Sequence, residues 1–259
     1  SFEFKMNNNK KISNYIYFYL NLFLTPILLI FFRKIIYYDK EYFPYNLFIK
    51  QKTYLWQNGV DTNSIPFLKK IKKIENNVLN FVCVGSLTKW HGLERLIDSI
   101  IFYQKKFSTY KFNINLVGHI DDKLIKKIKY NSAYFKNGNS IKFLGLKKGK
   151  DLSNIFKSSN IGIGSIGLKN LNTYERSELK IREYTAAGLP FIMEADDSDF
   201  KKEYKFIFKI DKKKYNIDID KLIKWFNNLD NSMPQEMRKF AKQKLDYQIK
   251  IKQFLNEVF

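Results

Sequence analysis

Arginine is the notable scarcity in this chain of 259 residues. Of its 46 cationic side chains only five are arginines: Arg33, Arg95, Arg176, Arg182 and Arg238. Proteins that read nucleic-acid sequence lean on the guanidinium fork for bidentate contacts, so the scarcity argues against that class despite a formal charge of +21. Cysteine is scarcer still. The lone Cys83 lies in an apolar run, which excludes a disulfide framework and a thiolate metal cluster and fits a reducing compartment. Two histidines, His91 and His119, cannot build a zinc site by themselves. Five prolines and 11 glycines leave no collagen-like or linker-like bias. No signal peptide is visible, and a start at Ser1 in place of Met reads as a fragment boundary.

What is present points to a packed protein. A content of 45% hydrophobic and 17% aromatic residues suffices for a core. The excess of lysine comes with an excess of Asn, Ile, Phe and Tyr. Two readings stand: compositional drift in an AT-rich genome, or a surface selected for phosphate-bearing partners. One segment, Tyr15–Phe32, is nearly uncharged and is flanked by Lys10, Lys11, Arg33 and Lys34. It has three readings: a buried core helix, a helix lying in a membrane interface, or a span.

From Val78 onward, short apolar runs alternate with amphipathic stretches, the pattern of a parallel sheet covered on both faces. The predicted strands are Val78–Val84, Phe112–Val117, Ser140–Leu144, Asn160–Ile166, Leu189–Met193 and Phe206–Ile210. Leu93, Leu96, Ile97, Ile100 and Ile101 form a helical stripe between the first two. Further helices are expected at Asp121–Tyr134, Asp151–Ser158, Glu178–Ala187 and Lys221–Asn228, with Ser177 as an N-cap. A long final helix is expected from Pro234 to the end. The fold class is therefore α/β: a Rossmann-like, doubly wound parallel sheet of about six strands with helical N-terminal and C-terminal segments. The expected domains are residues 1–57 with the apolar helix, a linker at 58–77, the sheet domain at 78–233, and a C-terminal helix at 234–259 packing back toward the N-terminal part. Before the sheet domain, Lys34–Tyr38 suits a strand, and Tyr54–Trp56 suits a strand running into a turn at Asn58-Gly59.

Three of the predicted strands end in glycine: Gly85, Gly118 and Gly145. In open α/β sheets, ligands bind beyond the carboxyl ends of the strands, where helix N-termini offer N–H groups to anions. The loop Gly85-Ser86-Leu87-Thr88-Lys89-Trp90-His91-Gly92 offers a cation, an imidazole and hydroxyls, a set able to hold a diphosphate. It lacks P-loop spacing. The sharpest feature is the string from Tyr174 to Pro190, in which Glu175 and Glu183 have seven residues between them and Ala186-Ala187-Gly188 closes the helix. A helix aimed at the ligand edge would stabilise a diphosphate at its positive end, and its carboxylates would accept from sugar hydroxyls. The whole stretch from Val78 to Glu194 thus reads as a nucleotide-binding domain.

Glu175-x7-Glu183 followed by Tyr184-Thr185-Ala186-Ala187-Gly188-Leu189-Pro190 resembles the donor-site signature of retaining glycosyltransferases of the GT-B fold, in the glycosyltransferase family 4 group. Asn58-Gly59-Val60-Asp61 is similar to that family's segment entering the interdomain linker. Val84-Gly85 with Trp90-His91-Gly92 resembles its first glycine loop, and Leu116-Val117-Gly118 its second strand. The resemblance runs from Tyr54 to the terminal helix and implies the C-terminal, donor-binding half of a GT-B fold with a truncated N-terminal part. It implies that Glu183 binds the nucleotide ribose and that Glu175, the catalytic-site carboxylate, contacts the transferred sugar. The backbone around Ser177, Glu178 and Leu179, together with Lys180, would lie near the diphosphate. Gly85, Ser86, Lys89, His91, Gly118 and Gly145 would complete the donor site.

No metal and no permanently bound cofactor is implied; a nucleotide-diphosphate sugar is the co-substrate. The implied reaction passes a hexosyl-type unit to a saccharide or lipid-linked acceptor with retention, in bacterial surface polysaccharide synthesis. Expected partners are the nucleotide sugar, that acceptor and an anionic membrane surface, and no specific nucleic acid. The expected location is cytoplasmic, peripheral at the inner face of the plasma membrane. The chain departs from the family where many relatives carry an arginine and a lysine in the first loop; those places resemble Ser86 and His91. Two rival readings remain: a non-catalytic, membrane-attached scaffold of the same fold, and a lysine-rich nucleic-acid-binding protein.

Overall fold

A computed structural model describes residues 19–20, 23–24, 27–28, 31–38, 52–107, 109–133, 135, 138–167, 177–201 and 203–259. The chain divides into two compact units, Ser1–Gln57 with Lys250–Phe259, and Asn58–Ile249. In the first unit, two short strands pair in parallel: β1 (Ile35–Tyr37) and β2 (Thr53–Leu55), with Ile36 opposite Tyr54. The Phe254 ring meets Tyr54 and Trp56 edge-on, at 5.3 and 5.2 Å between centroids. Within the apolar segment expected at Tyr15–Phe32, the described residues up to Phe31 are helical and exposed, Phe31 by 81%. Phe32 is exposed too, and the rest of that segment lies outside the described residues. No described helix is long and apolar enough to cross a membrane.

The second unit holds a six-stranded sheet. Its strands are β3 (Val78–Val84), β4 (Lys111–Val117), β5 (Ser140–Phe143), β6 (Ile161–Ile163), β7 (Phe191–Met193) and β8 (Ile207–Lys209). All pairings are parallel, in the order β5-β4-β3-β6-β7-β8. The strand order reverses between β3 and β6, which opens a crevice at their carboxyl ends. Leu79, Phe81, Val82 and Cys83 are all fully buried. A strand with both faces covered has no polar side to alternate with, which is why VLNFVCV is apolar save for Asn80, whose amide is bonded to Asn160.

The helices between the strands are α1 (Leu93–Gln104), α2 (Asp122–Ser132), α3 (Gly149–Ser158), α4 (Leu179–Ala187) and α5 (Ile219–Asn227). Side chains start two of them: Asp121 accepts from the Lys123 and Leu124 amides, and Asp218 from the Lys221 amide. In α1, Leu93, Leu96, Ile97 and Ile100 are buried as the stripe predicts, with Ile101 half-buried against the same core.

The C-terminal helix departs from expectation. In place of one run from Pro234, the chain forms α6 (Met233–Phe240), a π-helical turn at Ala241–Leu245, and α7 (Tyr247–Val258). Asp246 between them is extended (φ −65°, ψ 139°). The cause is tertiary. Val60 donates to Leu245 O at 2.8 Å and accepts from the Tyr247 amide at 3.1 Å. The Asp246 carboxylate accepts from the Thr62 hydroxyl at 2.6 Å. These bonds replace the helical ones that the break removes.

Candidate functional site

The three strand-end glycines lie together at the carboxyl edge of the sheet. The Gly85 amide donates to Val117 O at 2.9 Å and the Gly118 amide to Gly145 O at 2.8 Å. Gly118 has φ +116°, and a Cβ there would stand 2.2 Å from Gly85 O. No side chain fits that approach. Beside Gly85 and Gly145 a Cβ would meet open space, so their surroundings leave room at the edge.

The loop after β3 is braced on both sides. Leu87 exchanges backbone bonds with His119 and Asp121, and His91 O and Trp90 O accept from the Ile166 and Gly167 amides. His91, expected to face a ligand, is buried, and its Nδ1 accepts from the Thr88 amide at 3.0 Å. That bond closes the single turn Lys89–His91 and gives the imidazole a local structural task. Ser86 and Lys89 are exposed, and Lys89 has no ion-pair partner among the described residues.

Across the crevice, α4 begins. Glu178 holds the N-cap position with no side-chain cap bond, a place expected for Ser177. Ser177 Oγ instead accepts from the Asn58 amide at 2.7 Å, a tertiary bond that takes the hydroxyl away from the helix start. Both Glu178 carboxylate oxygens lie within 3.1 Å of the Ser165 amide, and one is 3.5 Å from Lys180 Nζ. Lys180 is buried, and its Nζ also stands 3.9 Å from Cys83 Sγ. Two residues expected at a diphosphate are therefore paired with each other. Burial raises the Cys83 thiol's pKa despite the neighbouring ammonium, so it stays a neutral core group.

Leu179 and Glu183 lie one turn apart on the same side of α4. Leu179 is half exposed, and Glu183 is partly buried. The Glu183 carboxyl has no hydrogen-bond or ion-pair partner among the described residues. Burial raises its pKa above the ordinary value. An acceptor that is partly desolvated and unmatched is a group a ligand hydroxyl can complete. Glu175, Tyr174 and Arg176 lie outside the described residues.

Tyr184 is fully buried, its hydroxyl accepting from the Val84 amide at 3.1 Å and donating toward Val82 O at 3.2 Å. Its ring covers Gly162, where a Cβ would come within 2.6 Å. These contacts fix α4 against the crevice between β3 and β6.

Sequence reasoning passed over two arginines. Arg95 spends all five N–H donors at this edge: Nε on Tyr215 O, Nη1 on Ile166 O and the Glu194 carboxylate, Nη2 on Asp211 O and Lys214 O. One guanidinium thus ties the loops after β6, β7 and β8 to the start of α1. Arg182, fully buried, bonds Asp197 through both terminal nitrogens, Asp199 at 2.7 Å and Asn58 O at 3.1 Å. The available signal was their rarity: where lysine serves as the default cation, an arginine marks a place needing a planar fork. Among the described residues, no group of three or more His, Cys, Asp or Glu side chains gathers to hold a metal ion.

Neither a family model nor a curated protein sequence matches this chain. Solved structures do. A glycosyltransferase from Rickettsia africae aligns over 96% of this chain and 67% of its own, at 14% identity and a TM-score of 0.65. HepE from Anabaena, solved in complex with UDP and glucose, aligns over 91% and 66%, at 15% identity and a TM-score of 0.58. The catalytic domain of starch synthase IV from Arabidopsis thaliana, bound to ADP and acarbose, aligns over 90% and 57%, at 15% identity and a TM-score of 0.58. The chain spans about two thirds of the length of the first two. Its α/β fold, with a six-stranded parallel sheet, is that of Rossmann-like GT-B glycosyltransferases.

Proposed function

We propose that the second unit is the donor-binding half of a retaining glycosyltransferase. The observation that carries this reading is the Glu183 carboxyl, partly buried and without a partner among the described residues, on the helix beside the crevice where the strand order reverses. Ribose hydroxyls would donate to it, and a charge-assisted bond of this kind contributes about 1.5–3 kcal/mol. The first-turn amides of α4 have no acceptor inside the helix and would face the diphosphate, with the partial positive charge of the helix end behind them. Lys180, released from Glu178, and the exposed Lys89 would offset charge on the leaving group. Glu175 would contact the sugar. Gly85, Gly118 and Gly145 would let the base and ribose approach the backbone. That HepE is in complex with UDP and that the starch synthase domain is bound to ADP are consistent with such a ligand.

In the reaction, the bond from the anomeric carbon to the diphosphate oxygen breaks, and a bond from that carbon to an acceptor oxygen forms on the same face. The acceptor proton passes to the departing diphosphate. The acceptor is a saccharide or lipid-linked saccharide of a bacterial envelope. The chain works on the cytoplasmic side, peripherally attached at the membrane through exposed apolar side chains such as Leu20, Phe23, Ile27 and Phe31 and the nearby Arg33 and Lys34. Co-sedimentation with anionic liposomes tests the attachment, and an unchanged supernatant fraction would remove it.

A thermal-shift screen against UDP, GDP, ADP, CMP and their sugars tests the donor reading. A ligand at a hundred times its dissociation constant stabilises by about 2.7 kcal/mol, a clear rise in Tm. The rise is expected for one base and is expected to vanish in Glu183→Ala. No rise with any nucleotide would refute the proposal.

A further inference from the structure

We infer that Asn58 is a positioning residue for the diphosphate end of this site, an inference that rests on the donor reading above. Asn58 is the first residue of the second unit, and three of its groups reach the start of α4. Its amide donates to Ser177 Oγ at 2.7 Å, its Nδ2 donates to Ser177 O, and its own carbonyl accepts from Arg182 Nε at 3.1 Å. The partners are 119 and 124 residues away in the chain, so no local preference accounts for the arrangement.

Peptide geometry gives the clamp its consequence. In a trans peptide the C=O and the following N–H point in opposite directions. Holding Ser177 O against Asn58 Nδ2 therefore turns the Glu178 N–H away from Asn58. Arg182 Nη1 adds a bond to Glu178 O at 3.3 Å, which holds the next peptide as well. The orientation of the amides that would meet a diphosphate is set here, at the junction where the chain enters the unit. Arg182 is itself locked by Asp197 and Asp199, so the clamp stands on an immobile base.

Asn58 touches neither the Glu183 carboxyl nor the strand-end glycines in any bond seen. Its effect should therefore separate the two halves of a nucleotide. The native chain, Asn58→Ala, Ser177→Ala and the double variant would be titrated calorimetrically with UDP, GDP and ADP and with the matching nucleosides. Asn58→Ala keeps both backbone bonds and loses only the Nδ2 donor. It is expected to bind the diphosphate about tenfold more weakly, as loss of one such bond allows, while nucleoside affinity stays within twofold.

Ser177→Ala should weaken the diphosphate in the same direction. The double variant should bind the diphosphate more weakly than either single one, since Asn58→Ala removes the bond to Ser177 O and Ser177→Ala removes the separate bond to Ser177 Oγ. Equal diphosphate affinity in Asn58→Ala would overturn the inference. So would a parallel loss of nucleoside and diphosphate, the mark of a general structural role. If the native chain binds none of the three diphosphates, the donor reading falls and takes this inference with it. A variant that fails to fold would show in its Tm, and the Ser177→Ala titration then decides alone.

Discussion

The two sides of the crevice solve different problems. On the β3–β5 side the loops are bonded to one another: Gly85 to Val117, Gly118 to Gly145, Leu87 to His119, with His91 turned inward onto Thr88. On the β6–β7 side, charged groups crowd the start of α4, and one of them, Glu183, has no partner among the described residues. The first side is a scaffold of backbone hydrogen bonds. The second holds electrostatic potential that a ligand can use. Ligand sites combine the two, since a rigid wall costs nothing to organise at the moment of binding, and an unmatched group supplies the gain.

The largest test of this contrast is Arg95→Ala. Five hydrogen bonds disappear, and Glu194 loses its guanidinium partner in the interior. Removing one member of a buried pair costs about 3–5 kcal/mol. Urea denaturation should register that loss, and a change below about 1 kcal/mol would mean the three loops are held by other contacts. Gly118→Ala tests the scaffold side. Its positive φ and the approach of Gly85 O predict a loss of about 1–3 kcal/mol or more from strain. Nucleotide binding should fall with it, because the displaced neighbour is the Gly85 carbonyl.

Glu183→Gln should act oppositely on stability and on binding. The native carboxyl holds its proton more tightly than the unfolded one, so its contribution is present at low pH and lost as pH rises through the raised native value. Glutamine carries no charge to desolvate, so the variant should melt higher than the native chain at neutral pH, and equally well at acid pH. Its nucleoside affinity should drop about tenfold or more. Native affinity should itself decline as pH falls into the carboxylate range, and the variant should lack that decline. A variant less stable at neutral pH would show that Glu183 has a partner in solution.

Glu178→Gln is the smallest effect. Lys180 loses its counter-charge, so the unliganded protein should melt slightly lower. The freed ammonium should then bind a nucleoside diphosphate about fivefold more tightly, on the order of 1 kcal/mol. Weaker binding would mean that Glu178 supports the ligand instead of competing with it.

Much of the fold was legible because its signals are local. Val78–Val84 is a strand from its mostly apolar run, and Leu93 through Ile100 a helix from its spacing. Gly188 ends α4 with φ +81°, a conformation open to glycine. The candidate site was legible only as a neighbourhood. Glu183 and the strand-end glycines lie at the crevice edge, yet His91 caps its own turn, Ser177 answers Asn58, and Lys180 answers Glu178. Arg95 and Arg182 gave no periodic signal at all, since an arginine's partners here are carbonyls and carboxylates scattered through other loops.

By itself, then, the amino-acid sequence determined the alternation of strands and helices and the parallel sheet. These follow from burial periodicity and backbone freedom, which act between near neighbours. Tertiary structure alone decided the helix break at Asp246, the clamp between Asn58 and Ser177, and which charged groups are paired. Those outcomes depend on donors and acceptors brought together from distant segments. A buried polar group takes whatever partner the fold delivers, and composition and spacing do not say which one that is.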